Sequence, residues 1–102
     1  MEKLLKLRFA SKKLEALYTS GAGAKRYPAS VVDAFFEVLQ IICAAAGPDD
    51  LYAFKSLHFE KLWGDREGQR SLRLNRQWRL IVMVDLEYAV PEIVVEDIID
   101  YH

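Results

Sequence analysis

The chain has one cysteine, two histidines and no run of the roughly 18 apolar residues that a membrane-spanning helix needs. A single cysteine excludes an intramolecular disulfide. Cys43, inside "VLQIICAAAG", reads as a small hydrophobe of a buried helix. His58 and His102 lie far apart in the chain and have no second cysteine to join them, so no zinc-ligand spacing exists. "GAGAKR" lacks the Lys-Ser/Thr ending of a phosphate-binding loop, and "GDREG" has too few acids for a calcium loop. No metal and no cofactor are expected. The opening "MEKLLKLRFASKK" alternates charges with apolar residues and contains no apolar block of a secretory signal. With neither signal nor disulfide, the expected location is the cytoplasm, with no membrane partner.

Net charge is also missing: it is −1, so global electrostatics says nothing for nucleic acid. The distribution says more. Residues 1–26 hold seven Lys and Arg against two acids, and residues 61–79 hold six against two. Residues 80–102 hold six acids and no Lys or Arg. Such segregation either builds a local positive field on a nearly neutral molecule or is paired off between neighbouring strands.

With 52% hydrophobic residues, 102 positions make one domain with a real core. "KLLKLRF" reads as a first strand. "ASKKLEALYTSG" reads as a short helix with Leu14 and Leu17 on its apolar side and Gly21 at its left-handed end. "PASVVDAFFEVLQIICAAAGP" is the strongest helix, started by a Ser30–Asp33 capping pair or by Pro28 and stopped by Gly47 and Pro48. Its polar residues, Asp33, Glu37 and Gln40, share one narrow stripe, so it is covered on most sides. The rest of the fold, or a second copy in a homodimer, would cover it. The second half turns to period two. "RSLRLN" sets Leu72 and Leu74 against Ser71, Arg73 and Asn75; "QWRLIVMVD" sets Trp78, Leu80, Val82 and Val84 against Arg79, Ile81 and Met83. "NRQ" is a hairpin turn, and "PEIVVEDIIDYH" is a last strand. The expected fold is α+β: an N-terminal strand and two helices packed on a small, mainly antiparallel sheet of about four strands. Trp63 and Trp78 are expected in the core, and His58 is expected to be structural.

Arg73 and Arg79 stand on adjacent antiparallel strands, each opposite its strand's main apolar set. If those faces coincide, two permanently charged guanidiniums converge where a phosphate binds bidentately. Pairing with Glu96, Asp97 or Asp100 is the plainer use of the same residues. The sequence finishes on Asp100, Tyr101 and His102, all suited to moving protons. Arginines with an imidazole and a phenol suit RNA cleavage. RNA brings its own nucleophile, the 2′-hydroxyl, and histidine titrates in the useful range.

The stretch "HFEKLWGDREGQRSLRLNRQWRLIV", with "DIIDYH" later, resembles the HigB group of the RelE/ParE toxin superfamily. That group carries L-K-G-D-R-x-G-Q-x-S-I-R-x-N-x-Q-W-R and ends in D-Y-H, and "KRYP" at 25–28 is similar to its basic-aromatic-Pro step. The match is dense over 57–83 and good over 93–102. The resemblance implies a bacterial type II toxin with a RelE-like fold, acting on messenger RNA in the ribosome as a metal-independent endoribonuclease. It implies a helix-turn-helix, HigA-like antitoxin, with operator DNA bound only through that complex. By motif position, Arg73 and Arg79 would hold the scissile phosphate. Asp100, Tyr101 and His102 would form the catalytic end, and Lys61, Arg66, Arg70 and Arg76 would contact RNA backbone.

Trp63 stands where the group usually has Lys, the net charge is slightly acidic, and "DLEYAVPE" is built differently from the group's turn. Two alternatives therefore stand beside the enzyme: a ParE-like, non-catalytic inhibitor of DNA gyrase, and a decayed toxin that only binds its antitoxin.

Overall fold

The computed structural model describes residues 5–86 and 90–100. Five strands make one sheet in the order β1-β5-β4-β3-β2, with β1 Lys6–Phe9, β2 Glu60–Lys61, β3 Gln69–Arg73, β4 Trp78–Asp85 and β5 Glu92–Asp100. Only the β1–β5 pair is parallel. Three helices, α1 Lys12–Ser20, α2 Ala29–Ala44 and α3 Pro48–Ala53, all send side chains into a single core cluster.

The period-two alternation decides which side of the sheet the core takes. Leu72, Leu80, Val82, Ile93, Val95 and Ile98 face the helices and are buried, meeting Leu14, Leu17, Phe35, Leu39 and Leu51. Trp78 packs on this core and meets Tyr27 edge-on, with ring centroids 6.0 Å apart. α1 is capped as its sequence predicts: Ser11 accepts from the Leu14 N–H, and Gly21 takes φ 76°, where a side chain would be strained. α2 is covered within the molecule on most sides. Its exposed polar stripe is Asp33, Glu37 and Gln40, and Phe36 stacks on Tyr18 of α1.

Several expectations change. The sheet has five strands, because residues 60–61 add a short edge strand to β3. Pro48 does more than end a helix: it opens α3, where its missing N–H costs nothing. Ser30 caps nothing, since α2 starts from the Pro28 carbonyl, which accepts from the Val31 and Val32 N–H groups. Cys43 is half-buried rather than fully inside. It lies beside Tyr18, whose phenol it pushes above its ordinary range, with burial adding to the effect. Trp63 is 76% exposed and is no part of the core.

Candidate active site

Register builds the site on the sheet's second face. The β3–β4 ladder pairs Arg73 directly with Arg79, on the face opposite Leu72 and Leu80. Like charges directly across a ladder are unfavourable by themselves. The turn at residues 74–77 holds both. The Asn75 carbonyl accepts from Arg73 Nε at 3.3 Å and from Arg79 Nη1 at 2.7 Å. The Trp78 carbonyl accepts a further bond from Arg79 Nη1 at 3.1 Å. Asn75 also shapes the turn itself, its Oδ1 accepting from the Gln77 and Trp78 N–H groups at 2.8 Å each. Two half-buried guanidiniums are thereby aimed from one oxygen, so little ordering is left for an incoming anion to impose.

A third group joins them that sequence reasoning had left as structural. Arg73 Nη1 lies 3.2 Å from His58 Nε2. Guanidinium can only donate, so in this contact Nε2 accepts and the ring proton sits on Nδ1. His58 reaches this place because the β2–β3 register, run back two residues from Glu60–Ser71, sets it beside Arg73. Its backbone is left-handed, φ 46°, a conformation that histidine tolerates better than most residues. That tolerance was the one signal in "SLHFEKL", and it is weak. Arg73 makes no ion pair among the described residues; its partners are a carbonyl and an imidazole. Of the acids on this face, Asp97 pairs with Ile81, two residues along β4 from Arg79. Asp85 and Glu92 gather at the far end of the same face, 3.8 and 3.3 Å from Arg8.

The other predicted residues are spread more widely. Asp100 lies at the same end of the sheet as the arginines, but its ladder partner is Trp78, while Ile99 pairs with Arg79. Glu96 is the reason: a bulge there shifts the register between Ile81 and Val82 and reverses which β5 residues face the helices. Gln77 Nε2 donates to Asp100 Oδ1 at 2.8 Å. Tyr101 and His102 lie outside the described residues. Arg76 is exposed on the turn beside the arginine pair. Lys61 and Arg70 face each other on the helix side of the sheet, not on the arginine face. Arg70 donates to the Tyr52 hydroxyl at 3.0 Å and lies over the Phe59 ring, while Arg66 donates to Gln69 Oε1 at 3.1 Å.

A chain of this sequence and fold has relatives. The model of the RelE-like toxin of the type II toxin–antitoxin system HigB matches residues 7–102, which include every candidate site residue named above. The chain belongs to the HigB-like toxin family. Toxin HigB-1 of Vibrio cholerae is 37% identical over 75 residues, 74% of this chain and 79% of that protein. Among solved structures, the YoeB/ParE toxin from Agrobacterium tumefaciens aligns with a TM-score of 0.58 at 16% identity, covering 95% of this chain and 98% of the other. The toxin–antitoxin complex RelBE2 from Mycobacterium tuberculosis aligns at 0.54 and 16%, covering 98% and 94%. At these identities the structures establish the fold, which is RelE-like. This HigB-like chain is the toxin of a type II toxin–antitoxin system, and HigB and RelE toxins are ribonuclease toxins. Among the described residues of the HigB-like chain, no helix is long and apolar enough to cross a membrane.

Proposed function

We propose that this HigB-like toxin is a metal-independent endoribonuclease that cuts messenger RNA on the ribosome, in the cytoplasm. The observation that carries the proposal is the Arg73–Arg79 pair held from the Asn75 carbonyl, with the His58 imidazole on Arg73. The reaction is attack of a 2′-hydroxyl on its own 3′-phosphate. The 2′ O–H proton goes to a base, the P–O5′ bond breaks, and an acid protonates the leaving 5′-oxygen. A 2′,3′-cyclic phosphate remains. The two guanidiniums bind the non-bridging oxygens, whose charge grows in the phosphorane. Fixed donors of this kind contribute about 10²–10³-fold each. Proton transfer by a group near neutral pKa contributes roughly 10²–10⁴-fold. The acid and base roles fall to Asp100, Tyr101 and His102, with His102 the main proton carrier and His58 a further candidate close to the phosphate. Lys61, Arg66, Arg70 and Arg76 bind RNA backbone around the site. A HigA-like helix-turn-helix antitoxin neutralises the toxin, and operator DNA is reached only through that complex.

The test is primer extension on messenger RNA from cells induced for the wild type, for Arg73→Ala and for a chain stopped after Asp100. Cuts within codons from the wild type alone are expected. Growth arrest with intact messenger RNA and blocked DNA replication would replace this reading with gyrase inhibition. Neither cuts nor arrest, with antitoxin binding kept, would leave a binding module.

A further inference from the structure

Trp63 is 76% exposed, so core packing does not account for it. It follows β2 directly. The Leu62 N–H still donates to the Gln69 carbonyl at 3.0 Å, so the ladder runs on past Lys61 and sets Trp63 opposite Gly68. Gly68 has φ 92° and nothing within 4 Å of the place its Cβ would occupy, which leaves the space beside the indole open. Strand alternation puts Trp63 on the same side as Lys61, and Lys61 is paired directly with Arg70. These residues, with Glu67 and Gln69, line a cavity of about 310 Å³. The Lys61–Arg70 pair is a second like-charge pair across the ladder, on the face of the sheet opposite Arg73–Arg79, and like charges directly opposite one another are unfavourable unless an anion offsets them. Arg70 is fixed from behind, by the Tyr52 hydroxyl at 3.0 Å and by the Phe59 ring at 5.8 Å. An exposed aromatic face beside two placed cations is the arrangement that binds single-stranded nucleic acid: the ring stacks on a base and the cations hold its phosphates.

We infer that Trp63, Lys61 and Arg70 form a subsite for one unpaired RNA base and its flanking phosphates, separate from the Arg73–Arg79 centre. This rests on the endoribonuclease reading and extends it. The segment from His58 to Trp63 connects the two places. At ~3.3 Å per residue it spans roughly 17 Å along the edge of the sheet, and because the two places lie on opposite faces, an RNA strand reaches both by wrapping round the β2 edge. The base belongs to the message or to ribosomal RNA, and the test separates them.

The experiment measures binding of a labelled, uncleavable 2′-O-methyl single-stranded RNA oligonucleotide, and of purified ribosomes, by the wild type, Trp63→Ala, Trp63→Phe and Lys61→Ala. Trp63→Ala is expected to bind on the order of ten-fold more weakly, with Trp63→Phe retaining most of the affinity. Trp63→Ala should leave the salt dependence as it was, while Lys61→Ala should lower its slope by about one. Loss on the oligonucleotide assigns the base to the message; loss on ribosomes alone assigns it to ribosomal RNA. Wild-type affinity of Trp63→Ala for both overturns the inference, as does a loss confined to antitoxin binding. Cleavage of cellular messenger RNA by the wild type, lost in Arg79→Ala, is read separately. The subsite can therefore fail while the enzyme stands.

Discussion

The two faces of the β-sheet are built on different rules. On the helix side, Leu72, Leu80, Val82, Ile93, Val95 and Ile98 merge with the helices into one apolar cluster. Any of them is replaceable by a residue of like volume at modest cost. On the other side, side chains stand in bands. His58, Arg73 and Arg79 mark one end, and Arg8, Asp85 and Glu92 mark the other. Only Ser71, Ile81 and Val94 are buried on that side among the described residues. The first face supplies stability, and the second spends its positions on placing charge. The like-charged pair at that end would weaken the ladder were it not anchored to the turn.

This difference can be broken residue by residue. Arg79→Ala should cut messenger RNA cleavage by about 10²–10³-fold while thermal unfolding stays near wild type, because in the proposed reaction the guanidinium stabilises charge on the phosphorane and its side chain is no part of the apolar core. Leu80→Ala should do the reverse. Leu80 is fully buried, and truncation there should cost about 2–5 kcal/mol in urea unfolding, with activity kept below the transition. Asn75→Ala should fall between the two. It removes the acceptor of two turn N–H groups, costing about 1–2 kcal/mol, and it loosens both arginines, so cleavage should drop without RNA losing the site altogether. Arg8→Ala should matter least. Its two carboxylate contacts lie on an exposed surface, so stability should change by less than about 1 kcal/mol, and cleavage not at all.

The face rule was legible in the sequence wherever alternation was long. Leu72/Leu74 and Trp78/Leu80/Val82 fixed the covered side of β3 and β4, and by subtraction put Arg73 and Arg79 together. The Gly21 cap and the short turn at 74–77 were legible for the same local reason. What was hidden depended on partners. Two residues of β2 carry no period, and they count as a strand only because β3 accepts them. His58 enters the site through that register. The bulge at Glu96 is a single extra residue that no alternation count detects, yet it decides which side Asp100 takes. Trp63 misled because bulk and hydrophobicity argue for burial, whereas its neighbours across the ladder are a glycine and a pair of cations.

The place of β5 within the sheet has a consequence in time. Lys6 at one edge waits for Glu92, its ladder partner from almost the other end of the chain, and β4 waits for the same strand. A ribosome adds residues at about 5–20 per second, so β1 spends on the order of ten seconds without its hydrogen-bonding neighbour. Through that interval, helices and the β3–β4 hairpin can form, and the arginine pair with them, but the sheet is split down the middle. The sheet therefore closes only once β5 has been made, and the delay is written into strand order.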